Sequence, residues 1–314
     1  MAKEPSYLNL YRSGELSGRV EKLLGLLASC RLCPRKCGVN RLEGETGFCE
    51  TGRKARVASY NAHLGEEDPL VGRYGSGTIF LSSCNLRCSF CQNYDISQAA
   101  GGMEVEPGEL AAMMCRLAEA GCHNINFVTP THVVPQIVEA LVPAVEQGLS
   151  VPLVYNSGGY DSVETVALLE GIFDIYMPDF KFWDNHQAER FCHAADYREA
   201  AVNSITEMHR QVGDLQVDDE GIATRGLLVR HLVMPNQVAG TEKIMAFLSD
   251  RISKNTYVNV MDQYRPCGTA EKDDLINRRL SAEEYRSALD AARKSGLTRL
   301  DPRIRPRLVL VPGR

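Results

Sequence analysis

Gly77-Thr-Ile-Phe-Leu-Ser82 is an apolar run of strand composition, and it leads straight into Ser83-Cys84-Asn-Leu-Arg-Cys88-Ser-Phe-Cys91. A strand that ends on three closely spaced cysteines puts metal-binding chemistry at its carboxyl end, where parallel α/β folds place their ligands. Five further apolar runs follow, at residues 124–128, 151–155, 173–177, 227–233 and 257–261. Helix-like stretches at 109–120, 135–147, 162–170 and 198–211 lie between them, ending at Gly121, Gly148, Gly171 and Gly213, and a fifth spans 242–253. A glycine just past a helix suits the left-handed C-terminal cap. Six runs between residues 77 and 265 give about 31 residues per repeat, the size of a βαβ unit. The runs lack alternation and read as strands buried on both faces, which predicts a parallel sheet. On spacing alone, an open doubly wound sheet and a partial barrel both fit.

Outward from this core the chain divides into three parts. Residues 1–75 begin with a helical lead-in carrying Val20, Leu23, Leu24 and Leu27, and continue as a stretch rich in Cys, Gly and Arg with little apolar periodicity. Such a stretch needs a metal to hold it. Residues 76–265 form the strand–helix unit. Residues 266–314 form a helical extension, opened by the capping box Ser281-Ala-Glu-Glu284 and ended at Gly296, followed by a Pro-broken tail with a basic excess. The 314 residues are 44% hydrophobic and 24% charged, which excludes a disordered chain. No apolar run reaches the roughly 18 residues of a membrane span. A formal charge of −5 gives no reason to expect a nucleic-acid partner. The first residues lack the apolar core of a signal peptide, so a reducing cytoplasm is expected, where clustered cysteines read as metal ligands.

Eleven cysteines are present, and seven fall into two groups: Cys30, Cys33, Cys37 and Cys49, then Cys84, Cys88 and Cys91. The second group can wrap one metal centre but does not close a tetrahedral or cubane ligand set, so one metal position is left for a small molecule. The plainer alternative is a structural zinc knuckle with a fourth ligand elsewhere. The first group supplies four thiolates, a complete set that fits either zinc or an auxiliary 4Fe–4S cluster. Among the scattered cysteines, Cys115, Cys122 and Cys267 read as packing.

Cys84-Asn-Leu-Arg-Cys88-Ser-Phe-Cys91-Gln-Asn-Tyr-Asp95 resembles the signature of radical S-adenosylmethionine (SAM) enzymes. The stretches GEEDPLVGRYGSGTIF, HNINFVTPTHVVPQIVEAL, VYNSGGYD, DIYMPDFKF, RGLLVRHLVMPN and VNVMDQYRP extend the resemblance to a branch similar to pyruvate formate-lyase activating enzyme, over roughly residues 30–300. The resemblance implies a (βα)6 partial TIM barrel. It also implies a 4Fe–4S cluster on Cys84, Cys88 and Cys91, with SAM on the fourth iron and Phe90 near its adenine. Asn93 and Asp95 echo the activating enzymes. The implied reaction is reductive cleavage of SAM to a 5′-deoxyadenosyl radical that abstracts hydrogen. A low-potential electron donor of flavodoxin or ferredoxin type and a glycyl-radical enzyme are the implied partners.

SAM needs complementary polar groups at the rim, and the strand ends offer Thr129-Pro-Thr-His132, Asn156-Ser157, Asp179-Phe-Lys181, Arg230-His231 and Gln263-Tyr264. By resemblance, Asp179 and Lys181 lie near SAM, Asn156-Ser157-Gly matches a Thr-Asn-Gly on the third strand, and Arg230 helps hold the substrate. Thr129-Pro-Thr131 departs from the family pattern, standing where a Gly-Gly-Glu usually meets the SAM amino group. His132 and His231 are candidate site residues, and His123 reads as structural. The expected function is radical SAM catalysis, with glycyl-radical activation as its leading form and a small-molecule or peptide substrate as the alternative. An alternative of a different class is a non-catalytic zinc or iron–sulfur regulatory module.

Overall fold

The computed structural model describes residues 4–99 and 101–302. The chain opens with α1 (Tyr7–Arg12) and α2 (Glu15–Gly25), then runs through β1 (Ala55–His63), α3 (Asp68–Val71), β2 (Ser76–Leu81), α4 (Tyr94–Ser97) and β3 (Met103–Val105). Helices and strands then alternate as α5 (Pro107–Glu119), β4 (Ile125–Val128), α6 (Val134–Glu146), β5 (Leu153–Asn156), α7 (Val163–Ala167) and β6 (Ile175–Tyr176). After α8 (Asn185–Cys192) and α9 (Tyr197–Val212) come β7 (Gln216–Val217), β8 (Ala223–Leu232), α10 (Thr241–Phe247), β9 (Tyr257–Met261) and α11 (Ala282–Lys294).

Each of the six predicted strands falls on a parallel strand. β2, β4, β5, β6, β8 and β9 pair in that order, every neighbour parallel. Chain order and spatial order coincide, so the parallel set has no reversal of the kind that defines a doubly wound sheet. The sheet is not closed: β1 and β3 extend it antiparallel beyond β2, and β7 pairs antiparallel with β8. The strands β4, β5 and β6 are buried on both faces, as the missing alternation predicted. Gly121, Gly148, Gly171 and Gly213 all have positive φ at the helix ends.

The structure differs from the sequence reading in residues 30–75, where β1 joins the main sheet. Its burial pattern fades from Ala55 and Val57 toward an exposed end, so its pairing with β2, and not a hydrophobic period, sets it. α1 and α2 pack on α6. The Tyr7 hydroxyl donates to the Val151 carbonyl at 3.0 Å, the Ser6 hydroxyl to Asp174 at 2.6 Å, and Arg225 to Ser6 at 2.8 Å. The lead-in is thereby tied to the amino ends of β5, β6 and β8. The capping box at Ser281 and Glu284 opens α11. Of the Pro-broken tail, residues 303–314 lie outside the described residues.

The loops after β5 and β6 touch through Gly159, which has φ +76° and lies so near the Asp179 carbonyl that an added Cβ would meet its oxygen at 2.0 Å. Gly159→Ala therefore combines a left-handed backbone cost with overpacking. A loss of about 2–5 kcal/mol is expected. Urea denaturation checks this, and a midpoint equal to the wild type would show that the two loops are not so closely joined.

Candidate functional site

Six carboxyl ends surround one cavity of about 340 Å³, within the usual size range of small-molecule sites. Cys84, Cys88 and Cys91 reach it from the loop after β2, together with Phe90 and Asn93. Thr129 follows β4, Asn156 and Ser157 stand at the end of β5, Asp179 and Lys181 follow β6, and Arg230 projects from β8. The cavity thus gathers the three cysteines with Phe90, Asn93, Thr129, Asn156, Ser157, Asp179, Lys181 and Arg230, whereas Thr131, His132, His231 and Tyr264 do not line it. Asp95 is exposed.

None of the eleven cysteines is in a disulfide. Burial pushes the Cys84 thiol up to about 12 and, together with the Cys88 thiol, raises that of Cys91. The Leu86 amide donates to the Cys84 sulfur at 3.4 Å, and the Ser97 hydroxyl to the Cys91 sulfur at 3.3 Å. Phe90 packs edge-on against Phe182, with ring centroids 5.8 Å apart, and tilts against Tyr264.

The same cavity holds a charged network. Asp179 accepts from the Lys181 ammonium at 2.5 Å and from Arg230 Nε at 2.8 Å, and Arg230 Nη2 donates to Asn156 Oδ1 at 2.6 Å. Burial disfavours the Asp179 carboxylate, yet Arg230 and Lys181 hold its pKa below the usual range. Burial likewise opposes the Lys181 charge, but Asp179 carries its pKa well above the ordinary lysine value. Arg230, expected at the substrate, is thus bonded to residues expected at the cofactor. Asn156 Nδ2 is buried with no hydrogen-bond partner, an orphaned donor on a residue of the cavity wall.

The two histidines at strand ends part company. His231 is fully buried, bonded to the Phe180 carbonyl and the Thr241 hydroxyl, and burial lowers its pKa to about 4. It is a satisfied core residue. His132 sits behind the cavity, against the first cysteine group. His123 accepts from the Arg73 and Tyr74 amides, a structural role. Thr131 turns away to Asp161, which also bonds Tyr155 and Ser157.

Sequence reasoning missed Glu66, on the cavity wall with Oε2 3.8 Å from Arg230. The acidic pair Glu66-Glu67 before Pro69 was the available signal. It also missed Cys192, whose sulfur lies 3.1 Å from that of Cys88. No local spacing announces that contact, since the two cysteines are 104 residues apart.

The first cysteine group also comes together. Cys30, Cys33, Cys37 and Cys49 line a second, small space with Arg35, Arg41, Asn85 and His132. Among the described residues, no three His, Cys, Asp or Glu side chains are grouped as the ligands of a single metal ion would be.

This chain is 36% identical over 289 residues to the Uncharacterized protein MJ0674 of Methanocaldococcus jannaschii, covering 89% of this chain and 78% of that protein. The chain belongs to the family of that archaeal protein. The Uncharacterized protein MJ0808 of the same organism is 26% identical over 168 residues, covering 49% of this chain and 44% of its own. No family model matches. Among solved structures, HydG, described as a maturase of the FeFe hydrogenase, aligns with a TM-score of 0.50 at 12% identity, covering 92% of this chain. The match spans 62% of the HydG chain, and the likeness is one of fold.

Asp179 between two cations yields a prediction in pH. Its depressed carboxyl contributes stability that is fully present above the ordinary carboxylate pKa of about 3.9 and is lost as pH falls through its folded value. Asp179→Asn leaves two buried cations without that carboxylate, and a loss of about 3–5 kcal/mol at neutral pH is expected. Lys181→Met keeps the Arg230 pair and should cost less. Urea midpoints between pH 3 and 7 check both. Equal losses in the two variants would show that Asp179 is not the hub.

Proposed function

We propose that the chain is a radical SAM enzyme, with a 4Fe–4S cluster on Cys84, Cys88 and Cys91 and SAM in the cavity beside them. The observation that carries the reading is the cavity itself, where three free thiols meet polar groups from the ends of six parallel strands. Three thiols leave a cubane one ligand short, and a cubane takes one cysteine per iron, so its cysteines need not converge on one point. When bound, the cluster and SAM supply a one-electron cleavage that yields a carbon radical able to take hydrogen from a substrate.

The chain's own residues bind and orient. Lys181 and Arg230 present positive charge suited to a carboxylate, and Asp179 and Glu66 present negative charge suited to an ammonium. The orphaned Asn156 Nδ2 would gain an acceptor. Ser157, Asn93 and Thr129 add polar contacts, and Phe90 offers an aromatic surface for adenine. The donors to the Cys84 and Cys91 sulfurs are of the kind that tunes a cluster's potential. The strand order supports reading the open sheet as a (βα)6 partial barrel, flanked by the Cys-rich residues 1–75 and the extension 266–314.

Activation of a glycyl-radical enzyme is the narrower form of this reading, as in the pyruvate formate-lyase activating branch. A small molecule or another peptide is the alternative substrate. A low-potential flavodoxin or ferredoxin would supply electrons, and a reducing cytoplasm suits eleven unpaired cysteines. No described helix is long and apolar enough to cross a membrane.

The test is anaerobic reconstitution followed by assay of SAM cleavage. The protein should bind iron and sulfide and form 5′-deoxyadenosine, and the combined Cys84→Ala, Cys88→Ala and Cys91→Ala variant should form none. Undiminished product from that variant, or none from reconstituted wild type given a strong reductant, would remove the reading in favour of a non-catalytic metal module.

A further inference from the structure

Cys192 belongs to neither cysteine group, yet its sulfur meets that of Cys88 at 3.1 Å. It is fully buried, at the last residue of α8. Cys88 lines the cavity and Cys192 does not, so the contact takes up no part of the cavity's lining. Packing alone would explain a buried cysteine. At 3.1 Å, however, the two sulfurs are closer than even carbon atoms pack, at about 3.5–4.0 Å, so a shared proton accounts for the contact.

Backbone bonds hold the pair in register. The Ser89 amide donates to the Phe191 carbonyl at 2.8 Å, joining the residue after Cys88 to the residue before Cys192. The Thr269 amide donates to the Ser89 carbonyl at 2.9 Å. Arg35 donates to the Cys192 carbonyl at 3.2 Å, to the Asn85 carbonyl at 3.0 Å and to the His193 carbonyl. Phe191 stacks on Phe182 with ring centroids 5.9 Å apart, and Phe182 meets Phe90 edge-on. In apolar surroundings of this kind a hydrogen bond is electrostatically stronger than in water.

A cysteine that binds iron has given up its proton, so its sulfur can only accept. The proton of the Cys88–Cys192 contact then rests on Cys192, whose thiol donates. Each cysteine of the proposed cluster thereby has a donor: the Leu86 amide for Cys84, the Ser97 hydroxyl for Cys91 and the Cys192 thiol for Cys88. Reduction adds negative charge that spreads onto the cysteine sulfurs. A donor to such a sulfur therefore stabilises the reduced form more than the oxidised one.

We propose that Cys192 tunes the cluster on Cys84, Cys88 and Cys91, raising its reduction potential through a thiol hydrogen bond to the Cys88 sulfur. The proposal rests on the function proposed above. Cys192 is a positioning residue that acts through Cys88 and is not itself a ligand. With it in place, the cluster takes its electron from a less strongly reducing donor than it would otherwise need. No covalent bond is made or broken.

The test compares full-length wild type with Cys192→Ala, Cys192→Val and Cys192→Ser, each reconstituted anaerobically. Iron and sulfide are counted first, and the cluster followed is the one whose paramagnetic signal changes when SAM is added. In a redox titration without SAM, the Ala and Val variants should have lower midpoints. At the wild-type midpoint their ratio of reduced to oxidised cluster should fall roughly three- to tenfold, tenfold being about 59 mV for one electron. The Ser variant, whose hydroxyl also donates, should restore most of that ratio. Equal midpoints in all four proteins, or a Ser midpoint as low as that of Ala, overturn the proposal and leave the radical SAM reading standing. A loss of packing would be repaired by Val and not by Ser, so a Val midpoint equal to the wild type beside a low Ala value overturns it too. Should Cys192→Ala fail to bind iron, Val against Ser carries the comparison. A wild type that binds iron but shows no signal responsive to SAM removes the radical SAM reading, and this proposal with it.

Discussion

Parallel hydrogen bonding in one unbroken order is the constraint on which the molecule rests. When β2, β4, β5, β6, β8 and β9 all run the same way, their six carboxyl ends open on the same side. Side chains placed just past the strands can then face one another, however far apart in sequence. Cys84 and Arg230 share a cavity wall for this reason and no other. The helices between the strands are spacers that return the chain to the amino side, and their glycine ends make each return abrupt.

That geometry explains what the sequence made legible. The strand-to-cysteine junction at Gly77–Cys91 and the polar residues after each later apolar run identify the cavity, because position along a parallel strand is also position in space. Residues set by pairing or by distant contact are a different matter. β1 is a strand because β2 offers it an edge, so its own pattern carries little period. His231 sits at a strand end like Arg230, but its ring turns to Phe180 and Thr241, a choice governed by packing that spacing does not encode. Cys192 meets Cys88 only because α8 folds back under the loop. The four early cysteines were recognisable as a set, whereas their seat against Asn85 and His132 depends on Arg35 and Arg41 reaching backbone carbonyls across the fold.

Thiols and an ionic network share the one cavity. Burial raises the thiol pKa values of Cys84 and Cys91, so a metal ligated there must displace protons held more tightly than in water. Asp179, Lys181 and Arg230 form a network already satisfied internally. A ligand with both a carboxylate and an ammonium can exchange partners with such a network without leaving any charge bare, which is the condition for binding a zwitterion in a partly buried site.

The anchoring of the amino end has a practical corollary. Ser6 and Tyr7 are fastened beneath the sheet to Asp174 and Val151, whereas the cavity opens above it, a full strand length of roughly 20 Å away. A surface linkage made through the first residues would hold the protein upside down relative to its attachment, with the cavity mouth directed into solution. Immobilised on an electrode in that orientation, the molecule would turn both sulfur groups away from the metal, so direct wiring calls for a tether elsewhere.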